Sequence, residues 1–213
     1  MKVGVLGSGE VAKTLASGFA SHGHDVTIGS RTAGKLSDWA RTQARIQAGT
    51  FSDAARFGEL LVLAVKGTAA AEALRAAGAA NIADKTVIDA CNPITEAPPV
   101  NGVLKFFTSL DDSLMERLQR EFNAARFVKA FNSVGADLMV DPHFKSGGKA
   151  TMFICGNDEG SKRTVASICE AFGWEVADMG RCESARAIEP LCMLWCLPGF
   201  LNNRWDHAFK LVS

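Results

Sequence analysis

One stretch near the start of the chain, "KVGVLGSGEVAKTLASGFASHGHDVTIGS", limits the possible folds more than any other. It begins with a short apolar run, passes through a glycine turn into a helical pattern, and ends in a second β-type run. Val11, Ala12, Leu15 and Phe19 share one helical face, and Gly23 after His22 offers a left-handed stop before the second run. Such a unit packs as strand, crossover helix and parallel strand. The turn reads G-x-G-x-x-A. Gly7 makes the bend, Gly9 allows a pyrophosphate to approach the backbone, and Ala12 lets helix and strand close together. Placed between a strand and an amphipathic helix, this pattern predicts dinucleotide binding.

The end of the second strand selects the dinucleotide. An NAD site offers a carboxylate to the ribose 2′-hydroxyl there, but this chain has "IGSRTAGK". Ser30 supplies a hydroxyl, Arg31 a planar fork for two phosphate oxygens, and Lys35 a further cation in the first turn of a helix expected to be capped by Thr32. These groups suit a 2′-phosphate, so the expected cofactor is NADP(H).

Further strands are predicted at 59–65, 86–91, 126–131, 150–156 and 174–179, with helices near 68–79, 110–122, 158–172 and 184–197. Pro98-Pro99 and "KSGGK" mark loops too short for linkers. The 213 residues therefore read as one α/β domain, 1–213: a Rossmann-type, doubly wound, mainly parallel sheet with a small C-terminal helical extension over 180–213. The 23 basic and 23 acidic residues cancel, which argues against nucleic acid or a charged membrane surface as partner. Residues 1–6 read as a strand rather than an export signal, and six cysteines without a C-x-x-C pair read as reduced thiols. Both point to the cytoplasm. The apolar "PLCMLWCLPGFL", broken by Pro198, falls short of the roughly 18–20 residues of a membrane span. It reads as a buried or interface helix and, with Trp205 and Phe209, predicts a homodimer or higher homo-oligomer.

Several chemistries are excluded by what is missing. The chain has no tyrosine, so a Tyr–Lys acid is impossible. His22, His24, His143 and His207 lack metal-ligand spacing, and there is no G-x-S-x-G elbow. A nicotinamide cofactor without a strong general acid suits hydride transfer between two rings, which the protein has to stack and orient.

On these residues the chain resembles the coenzyme-F420-dependent NADP oxidoreductases, or NADPH–deazaflavin reductases. The resemblance rests on "GSGEVAKTLASGF", "IGSRTAGKL", "LVLAVKG", "VIDACNP", "VKAFNSVGADLM" and the closing block from "CGNDEGSKRTV" to "EPLCMLW". It implies that Ser8, Gly9, Glu10 and Val11 face the pyrophosphate and that Ser30, Arg31 and Lys35 hold the 2′-phosphate. A ring cleft would be lined by Val65, Lys66, Asn92, Pro93, Asn132, Ser133 and Val134. Asn132, Ser133 and Lys66 are the candidate catalytic residues, and no metal is implied. Asn92 and Asn132 can also be read as caps of loops after strands. The small-molecule electron acceptor implied is coenzyme F420, or a flavin such as FMN. The 3-hydroxyacid dehydrogenases and pyrroline-carboxylate reductases share the opening but add a helical domain. The same domain occurs as the cytosolic part of metalloreductases. Two other readings stay open: a non-catalytic NADP sensor with a protein partner, and a reductase of a small carbonyl or imine.

Overall fold

The computed structural model describes every residue except Ala33, Ser146 and Ser213. In chain order its elements are β1 (Lys2–Leu6), α1 (Glu10–Ser21), β2 (Asp25–Ser30), α2 (Ser37–Arg41), β3 (Ile46–Thr50), α3 (Phe51–Phe57), β4 (Leu60–Leu63), α4 (Ala70–Ala77), α5 (Ala79–Ile82), β5 (Thr86–Asp89), α6 (Leu114–Glu121), β6 (Arg126–Lys129), β7 (Thr151–Gly156), α7 (Glu159–Ala171), β8 (Glu175–Asp178) and α8 (Ala185–Asn202). The strands form one eight-stranded sheet in the order β3-β2-β1-β4-β5-β6-β7-β8. Neighbours from β3 to β6 run parallel, β7 is antiparallel to β6, and β8 is parallel to β7. This is the expected Rossmann-type, doubly wound sheet.

The sheet separates two apolar clusters because strand side chains alternate between its faces. Val3, Val5, Leu60 and Val62 join Leu15 and Phe19 of α1 on one side. Leu6, Leu61 and Leu63 join Ala54 of α3, Leu74 of α4 and Leu118 of α6 on the other. Gly4 and Gly58 let α3 lie close to β1, since a Cβ on Gly4 would strike the Ala54 carbonyl. Helix α1 ends as anticipated: Gly23 takes φ 84° and the His24 N–H closes on the Phe19 carbonyl at 3.0 Å.

Several boundaries differ from the sequence reading. Strand β3 and helix α3 went unread because "IQAGT" lacks an aliphatic alternation. Their junction does carry a signal, a capping box in which Thr50 Oγ1 accepts the Asp53 N–H at 3.1 Å and Asp53 accepts the Thr50 N–H at 3.0 Å. Gly78, at φ 93°, divides the predicted 68–79 helix into α4 and α5. Helix α6 starts only at Leu114, where the Ser113 hydroxyl caps it. Helix α8 runs through both Pro190 and Pro198 to Asn202, so Pro198 does not break it. Residues 203–212 are not helical; they return past the start of β7, where Thr151 N–H bonds the Phe209 carbonyl at 2.9 Å.

The chain winds outward from β1 to β3, then returns to set β4 against the other side of β1. That reversal opens a crevice at the carboxyl ends of β1 and β4.

Candidate functional site

A cleft of about 730 Å³ occupies this crevice. Ser8, Gly9, Glu10 and Val11 line it from the turn after β1. A Cβ on Gly7 would strike the Ala64 carbonyl, so Gly7 is required by packing and lies beneath the wall. Gly9 is different. Its φ of −82° suits any residue, and a Cβ there would meet no protein atom within 4 Å. Nothing in the protein requires a glycine at this position, but a ligand passing close to the backbone would. The first bond of α1 runs from the Lys13 N–H to the Gly9 carbonyl at 3.0 Å, and Gly9 provides no side-chain cap. The preceding helix amides are therefore donors for an anion, as a pyrophosphate requires.

Ser30, Arg31, Thr32 and Lys35 line the cleft end after β2. Ser30 is buried, and its hydroxyl donates to the Thr32 carbonyl at 2.7 Å, which folds the turn. Arg31 and Lys35 are exposed cations on that turn. Thr32 does not cap a helix as expected. Its carbonyl takes the Lys35 N–H at 3.3 Å, and α2 begins only at Ser37 after Leu36, so Lys35 lies before the helix. Glu10, Glu72 and Glu96 put carboxylates on other parts of the wall, which confines the attraction for an added phosphate to the Arg31–Lys35 end. Phe51 and the alanine face of α4, Ala73 and Ala76, were not singled out in the sequence and line the wall as apolar surface.

The opposite end is formed by the turns after β4 and β5. Val65, Lys66 and Asn92 line it as expected. Gly67 presses the first turn against the second: a Cβ there would strike the Asn92 carbonyl. Lys66 Nζ meets Glu96 Oε2 at 2.8 Å, and that bond, with help from Thr68, holds the Glu96 carboxyl below its usual range. Both partners are exposed, so the pair is worth little to stability. Cys91 also lines the wall, but burial and the neighbouring Asp89 push its thiol up, and it makes no nucleophile.

The structure does not bring Pro93, Asn132, Ser133 or Val134 to the cleft wall; all four are buried. Asn132 stands just behind it. Its Nδ2 donates to Asn92 Oδ1 at 3.1 Å and to the Ile188 carbonyl at 3.0 Å, while Asn92 Nδ2 returns a bond to the Asn132 carbonyl at 2.8 Å. Beneath Cys91 lies a charge cluster that the sequence reading missed. Lys129 Nζ sits 2.7 Å from Asp89 Oδ2 and 2.9 Å from Glu189 Oε1, with no exposure of the lysine. Burial opposes charge on Lys129, but the two carboxylates outweigh it and raise its pKa. A lysine in "RFVKAF" and an aspartate in "TVIDAC" were the available signal, and Asp89 pairs in register with Lys129. Among the described residues no three His, Cys, Asp or Glu side chains cluster to hold a metal.

Residues 2–93 match the family model of NADP oxidoreductase, coenzyme F420-dependent. A crystal structure from Arthrobacter sp. FB24, of a candidate F420-dependent NADP-reductase, is 35% identical over the whole of both chains, with a TM-score of 0.92. The chain belongs to the F420-dependent NADP oxidoreductase family. It is also 28% identical over 225 aligned residues to the F420-dependent NADP reductase of Methanothermobacter thermautotrophicus, covering 100% of this chain and 95% of that one. To the rat metalloreductase STEAP3 it is 32% identical over 206 residues, 94% of this chain. It spans only 39% of that protein's length. Family membership makes this chain an NADP-dependent oxidoreductase, and the cleft has the donors, the open glycine and the basic end that NADP(H) needs. Among the described residues no helix is long and apolar enough to cross a membrane.

Two substitutions test this cofactor site. Gly9→Val should leave the circular dichroism and melting curve unchanged and abolish NADPH binding in a fluorescence titration, because the new side chain would enter only ligand space. Arg31→Ala should raise the NADPH dissociation constant about tenfold to a hundredfold, the worth of a charge-assisted hydrogen bond, and leave NADH almost unaffected.

Proposed function

We propose that this oxidoreductase passes a hydride between NADPH and a deazaflavin of the F420 type, or a flavin-like ring such as FMN, seated beside the nicotinamide. What carries this reading is the poverty of proton donors at the β4–β5 end of the cleft. Among the described residues, the titratable wall groups on the turns after β4 and β5 are Lys66 and Glu96, which occupy each other at the solvent edge, and the Cys91 thiol, which is pushed out of range; Glu72 lies beyond them on α4. Reduction of a carbonyl needs an acid positioned at the new alkoxide. A conjugated ring can take its proton from solvent, which leaves the protein the task of holding two rings face to face. NADPH supplies the hydride. Gly9 and the α1 amides hold its pyrophosphate, Arg31 and Lys35 its 2′-phosphate, and Val65 and Asn92 border the ring end. Asn132 takes part through Asn92, and Ser133 and Val134 through the backbone that carries Asn132. The relatives named F420-dependent NADP reductases support this acceptor class.

The test follows NADPH absorbance with F420, FMN and a panel of carbonyls and imines in parallel, on wild type and Lys66→Met. Turnover with F420 or FMN and none with the panel is expected. Lys66→Met should alter the KM for the acceptor several-fold and leave kcat and its pH profile nearly unchanged. A pH–rate limb lost in Lys66→Met would make Lys66 a general acid and favour a carbonyl or imine substrate.

We further propose a cytoplasmic homodimer. All six cysteines are free thiols, as suits a reducing compartment. The end of α8 and the strand-like turn packed on it expose Leu194, Phe200, Leu201, Trp205, Val100 and Val103. An apolar patch of this kind is commonly covered by a partner. Light scattering should return twice the chain mass of 22.7 kDa, and Leu201→Glu should return the mass of one chain.

A further inference from the structure

The buried charge cluster lies directly behind the cleft, and its geometry does more than fill the core. Lys129 Nζ donates a hydrogen bond to the Cys91 carbonyl at 2.9 Å and lies 2.7 Å from Asp89 Oδ2 and 2.9 Å from Glu189 Oε1. Both carboxylate contacts are ion pairs without a well-directed hydrogen bond. The other Asp89 oxygen accepts the Cys91 N–H at 2.9 Å. Both polar groups of the Cys91 backbone are therefore held from below, one by each member of the Asp89–Lys129 pair.

This fixes the next peptide. In a planar trans peptide the C=O and the following N–H point to opposite sides. With the Cys91 carbonyl drawn down to Lys129, the Asn92 N–H turns away from the core. Among the described residues it has no acceptor, and Asn92 is a wall residue of the cleft. The strand order β2-β1-β4-β5 sets this amide three strand spacings from Arg31, about 14 Å along the cleft. With the 2′-phosphate at Arg31, that distance carries an extended dinucleotide to its nicotinamide half.

We infer that Lys129 is a positioning residue that presents the Asn92 N–H as a hydrogen-bond donor to the nicotinamide half of the bound dinucleotide. The inference rests on the NADP site described above. Glu189 completes the device from the far side. Its carboxylate also accepts the Leu114 and Met115 N–H groups at 2.9 and 3.0 Å, so the start of α6 and the first turns of α8 are tied to the lysine that sets the wall.

The test must separate positioning from stability. The triple variant Asp89→Asn, Lys129→Met, Glu189→Gln keeps the volumes and removes all three charges together, so no lone ion is left buried. Dissociation constants are measured for NADPH and for adenosine 2′,5′-bisphosphate, which lacks the nicotinamide half. The Asn92 amide resonance is followed in nitrogen-labelled protein. In wild type that resonance should shift with NADPH and stay in place with the bisphosphate. In the triple variant NADPH should bind about tenfold weaker, as for one lost hydrogen bond, with the bisphosphate within twofold and the Asn92 shift lost. Arg186→Met is the control. It breaks the two-pronged pair with Glu116 that also joins α8 to α6, at 2.9 and 2.6 Å, without touching the cleft. It should lower the melting temperature and leave the ratio of the two constants unchanged. Should the triple variant fail to fold, Asp89→Asn with Lys129→Met leaves Glu189 on its two α6 amides and takes its place. Equal weakening of both ligands, an unchanged ratio, an Asn92 resonance indifferent to NADPH, or failure of both variants to fold overturns the assignment. A wild type that does not bind the bisphosphate would instead overturn the NADP site itself.

Discussion

A single buried ammonium joins the second half of this molecule to its cleft. Taking Lys129, Asp89 and Glu189 out of water costs several kcal/mol for each ion, and only good geometry recovers it. Here the ammonium meets two carboxylates and one carbonyl, and three of the four carboxylate oxygens take directed backbone N–H bonds. The cluster binds β5 to β6 at their carboxyl ends and draws α6 and α8 against them. An apolar substitute of equal volume could pack as well, but it could not orient the Cys91 peptide, which needs a donor below its carbonyl and an acceptor below its N–H. Polar groups this costly are understandable where a direction in space, and not only contact, has to be specified.

Close backbone approaches set the other dimensions of the cleft. Gly7 lets the first turn lie on the Ala64 carbonyl, and Gly67 lets the next lie on the Asn92 carbonyl. The turns after β1, β4 and β5 are thereby stacked without intervening side chains, which makes a narrow, rigid wall at the switch point. Gly9 contrasts with both because its vacant side faces outward. Two glycines of this group serve the fold and the third leaves open space over the cleft, a distinction that only the surroundings of each can make.

What could be read from the sequence follows the range of the interactions involved. Strand β1, helix α1, strand β2 and the glycine turn are local, and their residues announced them. Arg31 was legible for the same reason, since its place is set by the end of β2. The Thr32 cap failed because a hydroxyl before a polar stretch predicts a helix start only when the helix follows at once, and here Ser30 closes the turn first. Thr50 and Asp53 did form a local capping box, and it was overlooked beside a strand with little aliphatic content. Asn132 was expected in the cleft but supports Asn92 from behind, because which way a side chain leaves a strand end depends on what α8 offers it, in this case the Ile188 carbonyl. Lys129 and Glu189, 60 positions apart, and Asp89, 40 before the lysine, meet only when β5, β6 and α8 assemble.

The two ends of the cleft are therefore built on different principles. At the phosphate end Gly9, Arg31 and Lys35 are exposed and carried on short turns directly after β1 and β2. At the ring end Asn92 is supported by contacts that reach through Cys91 to Lys129 and through Asn132 to α8. A substitution in α8 can thus alter the ring end without disturbing the grip on the phosphates. Relatives that align over 94% and 100% of this chain bear the names of a metalloreductase in one case and an F420-dependent NADP reductase in the other. Acceptor choice is then to be sought in residues that lie behind the wall, on β6 and α8, more than in those that form its surface.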